Sequence, residues 1–480
     1  MSAASPVLAV DLDGTLLKTD TLYELMLRLV KQQPLQFFYL PWVALLCLSR
    51  GKQYLKQYLA DRVSLDPSLL PYNREFLAYL HQQHQAGRQL VLATGCHTRV
   101  AQAIAQHLAI FSRVLATDAH CNMTGNHKAK ALVESYGKAG FDYAGNSSVD
   151  QVVWESCREK ILVNASASLR RSLQARFAFA HVFDEAKWSA ANVFKGLRLH
   201  QWAKNALIFL PALTAHAFWK NEVLVSLLLA FIAFGCCASF SYVVNDLLDL
   251  DDDRKHHRKK YRPFAAADIS IAAALSMAIV LLAAALMFAL SLPLRFFELL
   301  VLYFVVTNLY SFRLKQIPVL DVAVLAGLYT LRVLAGAVVI RTDPTFWLIA
   351  FSAFLFFGLA IVKRLSELLH LQKQGRQEVK ARGYIAEDIS TLQGLGASSA
   401  IAAVLVLALY INSDSVRTLY QSPNQLWLLC PALLLWLGRV WLITGRGQMH
   451  DDPVVFALKD RLSWLILLAC VSIMVSATYF

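Results

Sequence analysis

Two carboxylates near the start of the chain have the spacing that chemistry on a phosphate group requires. Asp11 and Asp13 follow the short apolar segment 7–10 and are followed directly by a glycine. At the end of a strand, one such carboxylate can attack phosphorus while the other moves the proton. Mg²⁺ would screen the accumulated negative charge. The pair therefore predicts a magnesium-dependent site for phosphoryl chemistry.

A second acidic group follows a long apolar segment, with Asn245, Asp246, Asp249 and Asp253 spaced three or four residues apart. On a helix this spacing puts the side chains on one face. Crowded carboxylates repel one another unless a cation lies among them, and Mg²⁺ binds a few carboxylates together with substrate phosphate oxygens. A solvated acidic loop is the alternative. The basic residues that follow at once favour a site for a metal-bound diphosphate.

Ionisable residues also interrupt the apolar segments further along the chain. Asp321 and Arg332 lie within one such segment, where an unpaired charge is costly, so both are candidates for function. They are eleven residues apart on one helix face and could pair with each other or with another helix. Tyr310 and Lys315 stand at the edge of the preceding segment. They fit either a phosphate contact or a pair of side chains that reach the membrane interface.

A polar cluster precedes the first apolar segment of the C-terminal half. It lies within residues 196–205 and includes Arg198, Trp202 and Lys204. The cluster either anchors the chain at the membrane interface or lines a phosphate site.

The composition shows what must position these residues. Hydrophobic residues make up 57% of the 480 positions and charged residues 16%, whereas soluble domains average about 45–50% and about 25%. This excludes a disordered chain, a collagen-like fibre and an ordinary soluble enzyme. The net charge of +13 fits basic cytoplasmic loops and anionic substrates better than nucleic acid. The eight cysteines form no CxxC pair, so we expect reduced thiols, and no cleavable signal peptide is predicted.

Nine apolar segments after residue 200 predict a polytopic membrane domain. Basic residues concentrate in alternate loops, at 245–263, 312–317 and 363–390, which predicts that these loops face the cytoplasm of a bacterial-type inner membrane. The N-terminal domain and the acidic motif would lie on the same side, and the C-terminus on the other. The nine segments are 203–218, 223–244, 270–290, 296–311, 318–340, 345–362, 396–411, 425–443 and 463–480.

Short apolar strands alternate with helices in the first 165 residues, which predicts a parallel sheet with its site at the carboxyl ends of the strands. Thr94, Lys128, Asn146 and Asp150 follow such strands or lie between them. Residues 18–86 are long enough for a small helical cap. Its apolar segment 35–48 is too short to span a membrane, and it fits either the core of the cap or a surface against lipid or the other domain. Residues 166–195 are predicted to form a connecting helix and linker.

The pattern Asn-Asp-x-x-Asp-x-x-x-Asp at 245–253, with the basic run to Arg262, resembles the first aspartate motif of the UbiA prenyltransferase superfamily. The resemblance covers roughly residues 195–480 and implies an all-α membrane domain of about nine helices that holds Mg²⁺ and a diphosphate above a lipid-lined cavity. A second aspartate-rich motif is incomplete, since Leu325 stands where a partner of Asp321 would be.

The remaining polar residues resemble one branch of that superfamily, the decaprenyl-phosphate phosphoribosyltransferases. The resemblance implies phosphoribosyl diphosphate and polyprenyl phosphate as substrates. It assigns both catalysis and metal binding to the acidic motif, through Asp246, Asp249 and Asp253. It adds Lys315 and Asp321 as further catalytic residues. It assigns substrate binding to a larger polar set, comprising Arg198, Lys204, Asn245, Arg262, Tyr310 and Arg332.

The motif Asp11-x-Asp13-Gly-Thr15 and the polar residues after it resemble the haloacid dehalogenase (HAD) phosphatases. The resemblance implies that Asp11 is the nucleophile and Asp13 the general acid and base. It assigns the phosphate to Thr15, Thr94 and Lys128, with Lys130 as the alternative lysine. It assigns Mg²⁺ to four residues: Asp11, Asp13, Asn146 and Asp150. The family usually has Asp where this chain has Asn146, so a domain without activity is the alternative.

Together these features predict a bifunctional membrane enzyme with a HAD domain at 1–165, a linker at 166–195 and a UbiA-like domain at 196–480. The membrane domain would make polyprenyl-phosphoryl-5-phosphoribose, and the HAD domain would remove the 5-phosphate. An aromatic prenyltransferase and a non-enzymatic membrane scaffold are the alternatives. We expect membrane lipid as a partner, no nucleic acid, and possible assembly into homo-oligomers.

Overall fold

The computed structural model describes residues 6–33, 39, 42–43, 45–46, 51–119, 121–184, 189–373, 378–379, 383–449 and 453–479. The chain divides into two compact units. The first contains Met1–Arg198 and Tyr242–Ile279, and the second contains Leu199–Ser241 and Val280–Phe480. The N-terminal domain and the acidic motif at 245–253 therefore belong to one unit.

The N-terminal domain is built on a six-stranded parallel sheet in the order β3-β2-β1-β4-β5-β6, which confirms the predicted α/β fold. The strands are β1 Val7–Val10, β2 Leu90–His97, β3 Arg113–Thr117, β4 Phe141–Gly145, β5 Lys160–Val163 and β6 His181–Phe183. Successive side chains of a strand point to opposite faces. Leu8 and Val10 accordingly pack into one hydrophobic core and Ala9 into another.

Helices cover both faces of this sheet. The helices of the N-terminal domain are α1 Thr21–Gln32, α2 Lys52–Arg62, α3 Arg74–Gln85, α4 Thr98–Leu108, α5 Asn126–Tyr136, α6 Gln151–Trp154, α7 Ala167–Gln174 and α8 Ala190–Gly196, with 3₁₀ turns at Pro67–Leu69 and Ser148–Asp150. Asp20 and Asn73 begin α1 and α3 as side-chain caps of backbone N–H groups.

Two predicted regions of this domain differ in detail. The segment 166–195 holds α7 and α8 but also β6, which pairs with β5 and so extends the sheet beyond residue 165. The described residues of 18–86 form α1, α2, α3 and the 3₁₀ turn Pro67–Leu69, joined by loops. Most of the apolar segment 35–48 lies outside the described residues.

Eight helices in the described ranges are long and apolar enough to cross a membrane, which confirms the polytopic α-helical fold. They include α10 Asn221–Leu248, α12 Ile271–Leu290, α13 Leu294–Phe312, α14 Leu320–Val339, α15 Phe346–Lys373, α16 Asp388–Ile411, α18 Leu429–Gly445 and α20 Arg461–Tyr479. A 3₁₀ segment, Pro423–Leu428, extends α18 to form one of the eight. These helices match eight of the nine predicted segments.

The remaining predicted segment, 203–218, is the first of the nine in chain order and folds differently. It forms an unusually long 3₁₀ helix, Leu199–Phe209, followed by the short α9 Leu210–Thr214. Its neighbours pack closely against it. A Cβ atom at Gly336 would lie 2.0 Å from the carbonyl oxygen of Ile208, and one at Gly235 would lie 2.5 Å from the ring of Trp202. Glycine at these two positions allows the close approach.

Short elements complete the chain. The acidic motif runs from the end of α10 through Asp249 into α11 Leu250–Lys255. The others are α17 Asp414–Leu419, α19 Pro453–Lys459, 3₁₀ turns at Lys259–Tyr261 and Leu314–Gln316, and a two-stranded antiparallel hairpin of β7 Glu378–Val379 and β8 Tyr384–Ile385.

Candidate functional sites

A pocket of about 340 Å³ opens at the carboxyl ends of the strands in the N-terminal domain. The strand order reverses between β1 and β4, and this is where open α/β sheets bind their ligands. Asp11 and Asp13 follow β1, and Asn146 and Asp150 follow β4. With Lys128 from α5, all five line the pocket. The structure thus brings together the predicted acids, amide and lysine.

Asp11 and Lys128 form a buried ion pair in this pocket. The Nζ atom of Lys128 lies 2.7 Å from Oδ1 of Asp11, and it also donates a 2.9 Å hydrogen bond to the Tyr143 hydroxyl. Burial opposes the charged form of Lys128, but the carboxylates of Asp11 and Asp150 outweigh it and raise the pKa of the lysine. Lys128 is therefore a fixed positive charge beside the expected nucleophile.

Both acids of the motif are held in an environment that disfavours their charge. Burial, opposed by Lys128, raises the pKa of Asp11 to about 6. Burial and repulsion from Asp20 raise the pKa of Asp13 to about 7. The backbone N–H of Thr21 donates to Oδ1 of Asp13 over 2.8 Å and fixes its carboxyl. A carboxyl with a pKa near 7 is suited to both giving and taking a proton.

Asp150 organises the loop after β4. Its Oδ2 atom accepts hydrogen bonds from the backbone N–H groups of Asn146 and Ser147, and its Oδ1 atom accepts one from the Tyr143 hydroxyl. Gly14 has a φ of +74°, and a Cβ atom there would lie 2.0 Å from Nδ2 of Asn146. The Asn146 side chain is therefore held directly against the Asp11–Thr15 motif.

The donor set of this pocket suits a hard cation, because Asp11, Asp13 and Asn146 offer oxygen atoms and the two acids lack full charge compensation. Asp150 is engaged by its own loop, and Asn146 is neutral. Consistent with this, no three His, Cys, Asp or Glu side chains group closely enough to hold a metal ion in the described parts of the chain. A cation here would depend on amide or main-chain oxygens as well as carboxylates.

Two residues predicted to contact phosphate do not line the pocket. Thr15 and Thr94 are fully buried and do not line it. The Thr94 hydroxyl accepts a hydrogen bond from the backbone N–H of Cys96. Lys130, the alternative to Lys128, is 76% exposed and lies 3.8 Å from Glu134. Of the two lysines, only Lys128 reaches the site.

Lys56 is a pocket residue that the sequence analysis missed. It comes from α2 and donates hydrogen bonds to the carbonyl oxygen of Gly95 and to Oδ1 of Asn122, over 2.6 and 2.8 Å. Burial lowers its pKa, although Asp13 opposes the shift. A lysine about 40 residues from any motif carries no signal in the sequence, so only the fold could place this second cation in the pocket.

The acidic motif of α10 and α11 is clasped by two arginines of the same unit. Arg198 donates to Oδ1 of Asp246 over 2.6 Å, and Arg262 donates to the same atom over 3.1 Å. Arg262 also donates to Oδ2 of Asp253 over 2.7 Å. Asp246 and Asp253 are buried. The cation between these two carboxylates in the structure is therefore a guanidinium, from a residue that was assigned to substrate binding.

The other members of this motif are more open. Asn245 is half-buried, and Asp249 lies 3.6 Å from Nζ of Lys31. Burial and the proximity of Asp246 raise the pKa of Asp253, although Arg262 opposes the shift. The carboxylates of Asp246, Asp249 and Asp253 are hard oxygen ligands of the kind that Mg²⁺ prefers, and Mg²⁺ needs only one or two of them when substrate phosphate oxygens complete its coordination. The donor set fits the metal chemically, with Arg262 as its competitor for Asp246 and Asp253.

Asp321, in the second unit, is fully buried and pairs with a different helix. Its Oδ2 atom accepts from Nε of Arg364 over 2.5 Å, and its Oδ1 atom accepts from the Tyr384 hydroxyl over 2.5 Å. Arg364 also donates to the Tyr310 hydroxyl over 2.6 Å. Arg364 was counted as a loop charge in the sequence analysis, because the predicted apolar segment ends at residue 362. Lys315 lies half-buried in the turn that follows α13.

Arg332 belongs to a separate polar cluster in the same unit. It donates to Oδ1 of Asn205 over 2.9 Å, to the Leu328 carbonyl oxygen and to the Tyr303 hydroxyl. Lys204 lies over the ring of Tyr329, 5.8 Å from its centre. The Nδ2 atom of Asn205 is buried and has no hydrogen-bond partner among the described residues. Arg332 thus lies beside a buried amide donor that makes no hydrogen bond within the described part of the chain.

Trp202 packs inside the bundle, where its Nε1 donates to the Ser239 hydroxyl over 2.9 Å. A separate apolar cavity of about 630 Å³ lies between α14, α15 and α16. None of the predicted site residues lines that cavity.

The model of the UbiA prenyltransferase family matches residues 208–477, which is more than half of the chain. The chain belongs to the UbiA prenyltransferase family. A second model, for haloacid dehalogenase-like hydrolases, matches residues 8–150. This UbiA chain is thus a multi-pass membrane protein that joins a transferase domain to a hydrolase domain, as the sequence predicted.

Relatives of this UbiA chain share one or both halves. The uncharacterized protein y4nM of Sinorhizobium fredii is 33% identical over 464 residues, covering 96% of this chain and 88% of y4nM. A decaprenyl-phosphate phosphoribosyltransferase of Mycobacterium tuberculosis is 30% identical over 296 residues, covering 60% of this chain and 95% of that protein. A solved UbiA homologue from Archaeoglobus fulgidus bound to GPP and Mg²⁺ is 17% identical, with a TM-score of 0.45, covering 60% of this chain and all of that one.

Proposed function

We propose that the UbiA domain transfers the 5-phosphoribosyl group of phosphoribosyl diphosphate to a polyprenyl phosphate. An oxygen of the lipid phosphate would attack C1 of the ribose, and the C1–diphosphate bond would break with release of diphosphate. Mg²⁺ held by Asp246, Asp249 and Asp253 would neutralise the leaving group. The mycobacterial relative named decaprenyl-phosphate phosphoribosyltransferase supports this choice of substrates.

The observation that carries the proposal is the pair of guanidinium groups on the aspartate motif. Arg198 and Arg262 both donate to Asp246. A diphosphate that approached these carboxylates would meet two fixed cations at once. Such charges stabilise a leaving group in place before the bond breaks. Two anionic substrates need this many cations, whereas a neutral aromatic acceptor needs fewer.

The state of Asp321 favours this proposal over an aromatic prenyltransferase. That alternative calls for a second acidic motif to share the metal-bound diphosphate. Asp321 is instead fully buried and bound by Arg364 and Tyr384. A carboxylate engaged in this way serves as an anchor for Arg364 and Tyr310. We therefore place Lys204, Tyr310, Lys315 and Arg332 in substrate binding, with Asp321 supporting Tyr310 through Arg364.

The hydrolase domain would act next, on the 5-phosphate of the lipid-linked product. Asp11 would attack phosphorus, while Asp13 gives a proton to the departing 5-oxygen. Asp13 would then take a proton from the water that releases phosphate from Asp11. Lys128 would bind the phosphate, and Asp11, Asp13 and Asn146 would hold Mg²⁺, which screens charge. The product is polyprenyl-phosphoryl-ribose, and loss of the phosphate would pull a reversible transfer forward.

Both activities belong on the cytoplasmic side of a bacterial-type inner membrane in this proposal. Phosphoribosyl diphosphate is a charged, water-soluble substrate, and the basic loops at 245–263, 312–317 and 363–390 follow the positive-inside rule. An oligomeric assembly is compatible with the proposal but is not needed for it.

The deciding experiment compares lipid products of the wild type and Asp11→Asn by mass spectrometry. Purified protein would receive Mg²⁺, phosphoribosyl diphosphate and polyprenyl phosphate. We expect polyprenyl-phosphoryl-ribose from the wild type and the same lipid with one additional phosphate from Asp11→Asn. The variant removes the nucleophile but leaves the membrane domain intact.

Two further reactions delimit the result. An Asp246→Ala variant should yield neither lipid, because the diphosphate loses its metal site. Prenylation of a phenolic acid by the wild type, without any sugar-linked lipid, would establish the aromatic alternative. Identical products from the wild type and Asp11→Asn would assign no hydrolysis to Asp11.

A further inference from the structure

Helix α1 of the hydrolase domain carries a charged stripe that its own active site does not use. Glu24, Arg28 and Lys31 are four and three residues apart, the spacing that puts side chains on one helix face. Leu25 and Leu29 lie on another face and are buried in the hydrophobic core. The three charged residues do not line the hydrolase pocket.

Glu24 forms a buried ion pair with Arg254 of α11, the helix that also carries Asp253. The Nη1 and Nη2 atoms of Arg254 donate to the two carboxylate oxygens of Glu24 over 3.0 and 2.7 Å. The side chains are 2% and 6% exposed. Nε of Arg254 donates to the carbonyl oxygen of Ala265. The guanidinium is thus fixed by a planar, bidentate ion pair beside the acidic motif.

Arg28 and Lys31 extend the same contact toward the motif. Arg28 donates to Oδ1 of Asp251 over 2.6 Å. Lys31 donates to Oδ2 of Asp252 over 2.7 Å and lies 3.6 Å from Oδ1 of Asp249. One face of α1 therefore contacts every position from 249 to 254 that is charged, apart from Asp253.

This contact answers a problem of charge. Positions 249, 251, 252 and 253 are all aspartates, and four carboxylates within five residues repel one another. Arg262 compensates Asp253. Arg28 and Lys31 compensate Asp251 and Asp252. Without α1, the repulsion within the segment would act directly on Asp249 and Asp253.

We propose that α1 is a positioning element for the transferase site, with Glu24 and Arg28 as positioning residues that hold segment 249–254 ready for a metal-bound diphosphate. The hydrolase domain thereby contributes to the binding site of the other reaction. The inference rests on the proposed role of the aspartate motif in binding diphosphate. It does not depend on which lipid accepts the transferred group.

The same helix also reaches the hydrolase site at its other end. Thr21, the first residue of α1, donates its backbone N–H to Asp13 and lines the hydrolase pocket. A twelve-residue helix is about 18 Å long. One rigid element thus contacts an acid of each predicted site.

The test is a binding measurement on the full-length protein. Isothermal titration calorimetry with inorganic diphosphate in the presence of Mg²⁺ would compare the wild type with Glu24→Gln. An Asp246→Ala variant would measure the diphosphate binding that does not depend on the aspartate motif. We expect the Asp246-dependent affinity to fall at least tenfold in Glu24→Gln. The amide keeps the size of the side chain but cannot pair with Arg254 as an anion.

A matched control and a charge exchange separate positioning from general damage. Glu75, exposed in the first turn of α3, provides the control variant Glu75→Gln, which should bind as the wild type does. Arg28→Asp should also weaken binding, and the double variant Arg28→Asp with Asp251→Arg should recover most of it. Hydrolysis of p-nitrophenyl phosphate reports whether the hydrolase domain of each variant remains folded.

The outcomes are distinct. Unchanged diphosphate affinity in both Glu24→Gln and Arg28→Asp would overturn the inference. Loss of diphosphate affinity and of hydrolysis in equal measure, without recovery in the double variant, would assign these residues to folding alone. If the wild type shows no Asp246-dependent affinity, it is the proposed function of the motif that fails. Weaker binding with hydrolysis retained supports positioning.

Discussion

Lys128 and Lys130 are two residues apart, yet the helix they share sends them to opposite environments. Lys128 is buried against Asp11, and Lys130 is exposed to solvent. The resemblance to the HAD phosphatases favoured Lys128 and kept Lys130 as the alternative, because both lysines lie near the start of the same helix. Burial of α5 against the sheet makes the choice.

The first prediction uses this pair of residues. Lys128→Met removes the cation that lies 2.7 Å from Asp11, so we expect hydrolase kcat/KM to fall by about 100-fold or more, in line with the loss of a charge that stabilises the transition state. Lys130→Met serves as the matched control and should change activity less than twofold. Phosphate release measures both. Equal losses in the two variants would contradict the assignment of Lys128.

The second prediction concerns pH. The pKa values of Asp11 and Asp13 in the folded protein are about 6 and about 7, above the ordinary value of 3.8. Their contribution to stability is therefore complete below about pH 4 and is lost as pH rises through 6 and 7. In the presence of a chelator, the hydrolase domain should melt at a lower temperature at pH 7.5 than at pH 5.

Asp13→Asn should reduce this dependence on pH, because the amide does not ionise. One unit of pKa corresponds to about 1.4 kcal/mol, so the difference between variants should be measurable by thermal unfolding of the full chain. Added Mg²⁺ should raise the melting temperature of the wild type at pH 7.5. A stability that is flat from pH 5 to 7.5 would contradict the environment described for these acids.

At the scale of elements, sequence patterns identified the parallel sheet and eight membrane helices, since each depends on a local run of apolar residues. Contacts between elements were harder to predict. Asp321 and Arg332 share a helix face, but eleven residues separate them by about 16 Å along the axis. Each finds a partner elsewhere, Arg364 and Asn205, because a direct pair is out of reach.

Arg364 is the clearest example of a contact between elements that the sequence pattern did not predict. In sequence it stands beside Lys363 at the start of a basic loop, and its charge counts toward orientation in the membrane. In the structure α15 continues to Lys373, and Arg364 is buried inside it. Hydropathy gives no boundary for a helix that continues beyond its apolar stretch, so the anchor of Asp321 and Tyr310 was missed.

Helix packing yields the third prediction. A methyl group at Gly336 would lie 2.0 Å from the carbonyl oxygen of Ile208, which is backbone and cannot rotate away. We expect Gly336→Ala to destabilise the membrane domain by about 1–3 kcal/mol or more. At Gly327, on the same helix, an added methyl group would have no atom within 4 Å among the described residues. Gly327→Ala should be neutral or slightly stabilising, since alanine favours helices.

Thermal unfolding in detergent, followed by aggregation or by tryptophan fluorescence, would measure both glycine variants. Equal melting temperatures for Gly336→Ala and the wild type would show that α14 does not pack tightly against the 3₁₀ helix.

At the scale of the whole molecule, Glu24 and Arg28 contact segment 249–254, so the proposed function calls for the hydrolase domain and this loop on one side of the membrane. Helix α10 would cross once on the way to the loop. The proposal therefore requires the chain to cross once more between residues 198 and 221. A 3₁₀ helix rises about 2.0 Å per residue. Eleven such residues and the five of α9 span roughly 30 Å, the thickness of a hydrocarbon core.

The fourth prediction follows from this count of crossings. Single cysteines at Lys220 and Lys259, in a background without the native cysteines, should react with a membrane-impermeant maleimide from opposite sides. In intact cells we expect labelling at position 220, and at position 259 only after permeabilisation. Labelling of both positions from one side would show that segment 199–218 does not cross.

The 3₁₀ helix also sets a repeat of three in the chain. Each residue turns the backbone by about 120°, so Trp202, Asn205 and Ile208 fall on one line. Trp202 meets Gly235, Asn205 meets Arg332, and Ile208 meets Gly336. Inserting or deleting a single residue here would rotate all later contacts by a third of a turn. Evolution can therefore exchange side chains along this segment far more easily than it can change its length.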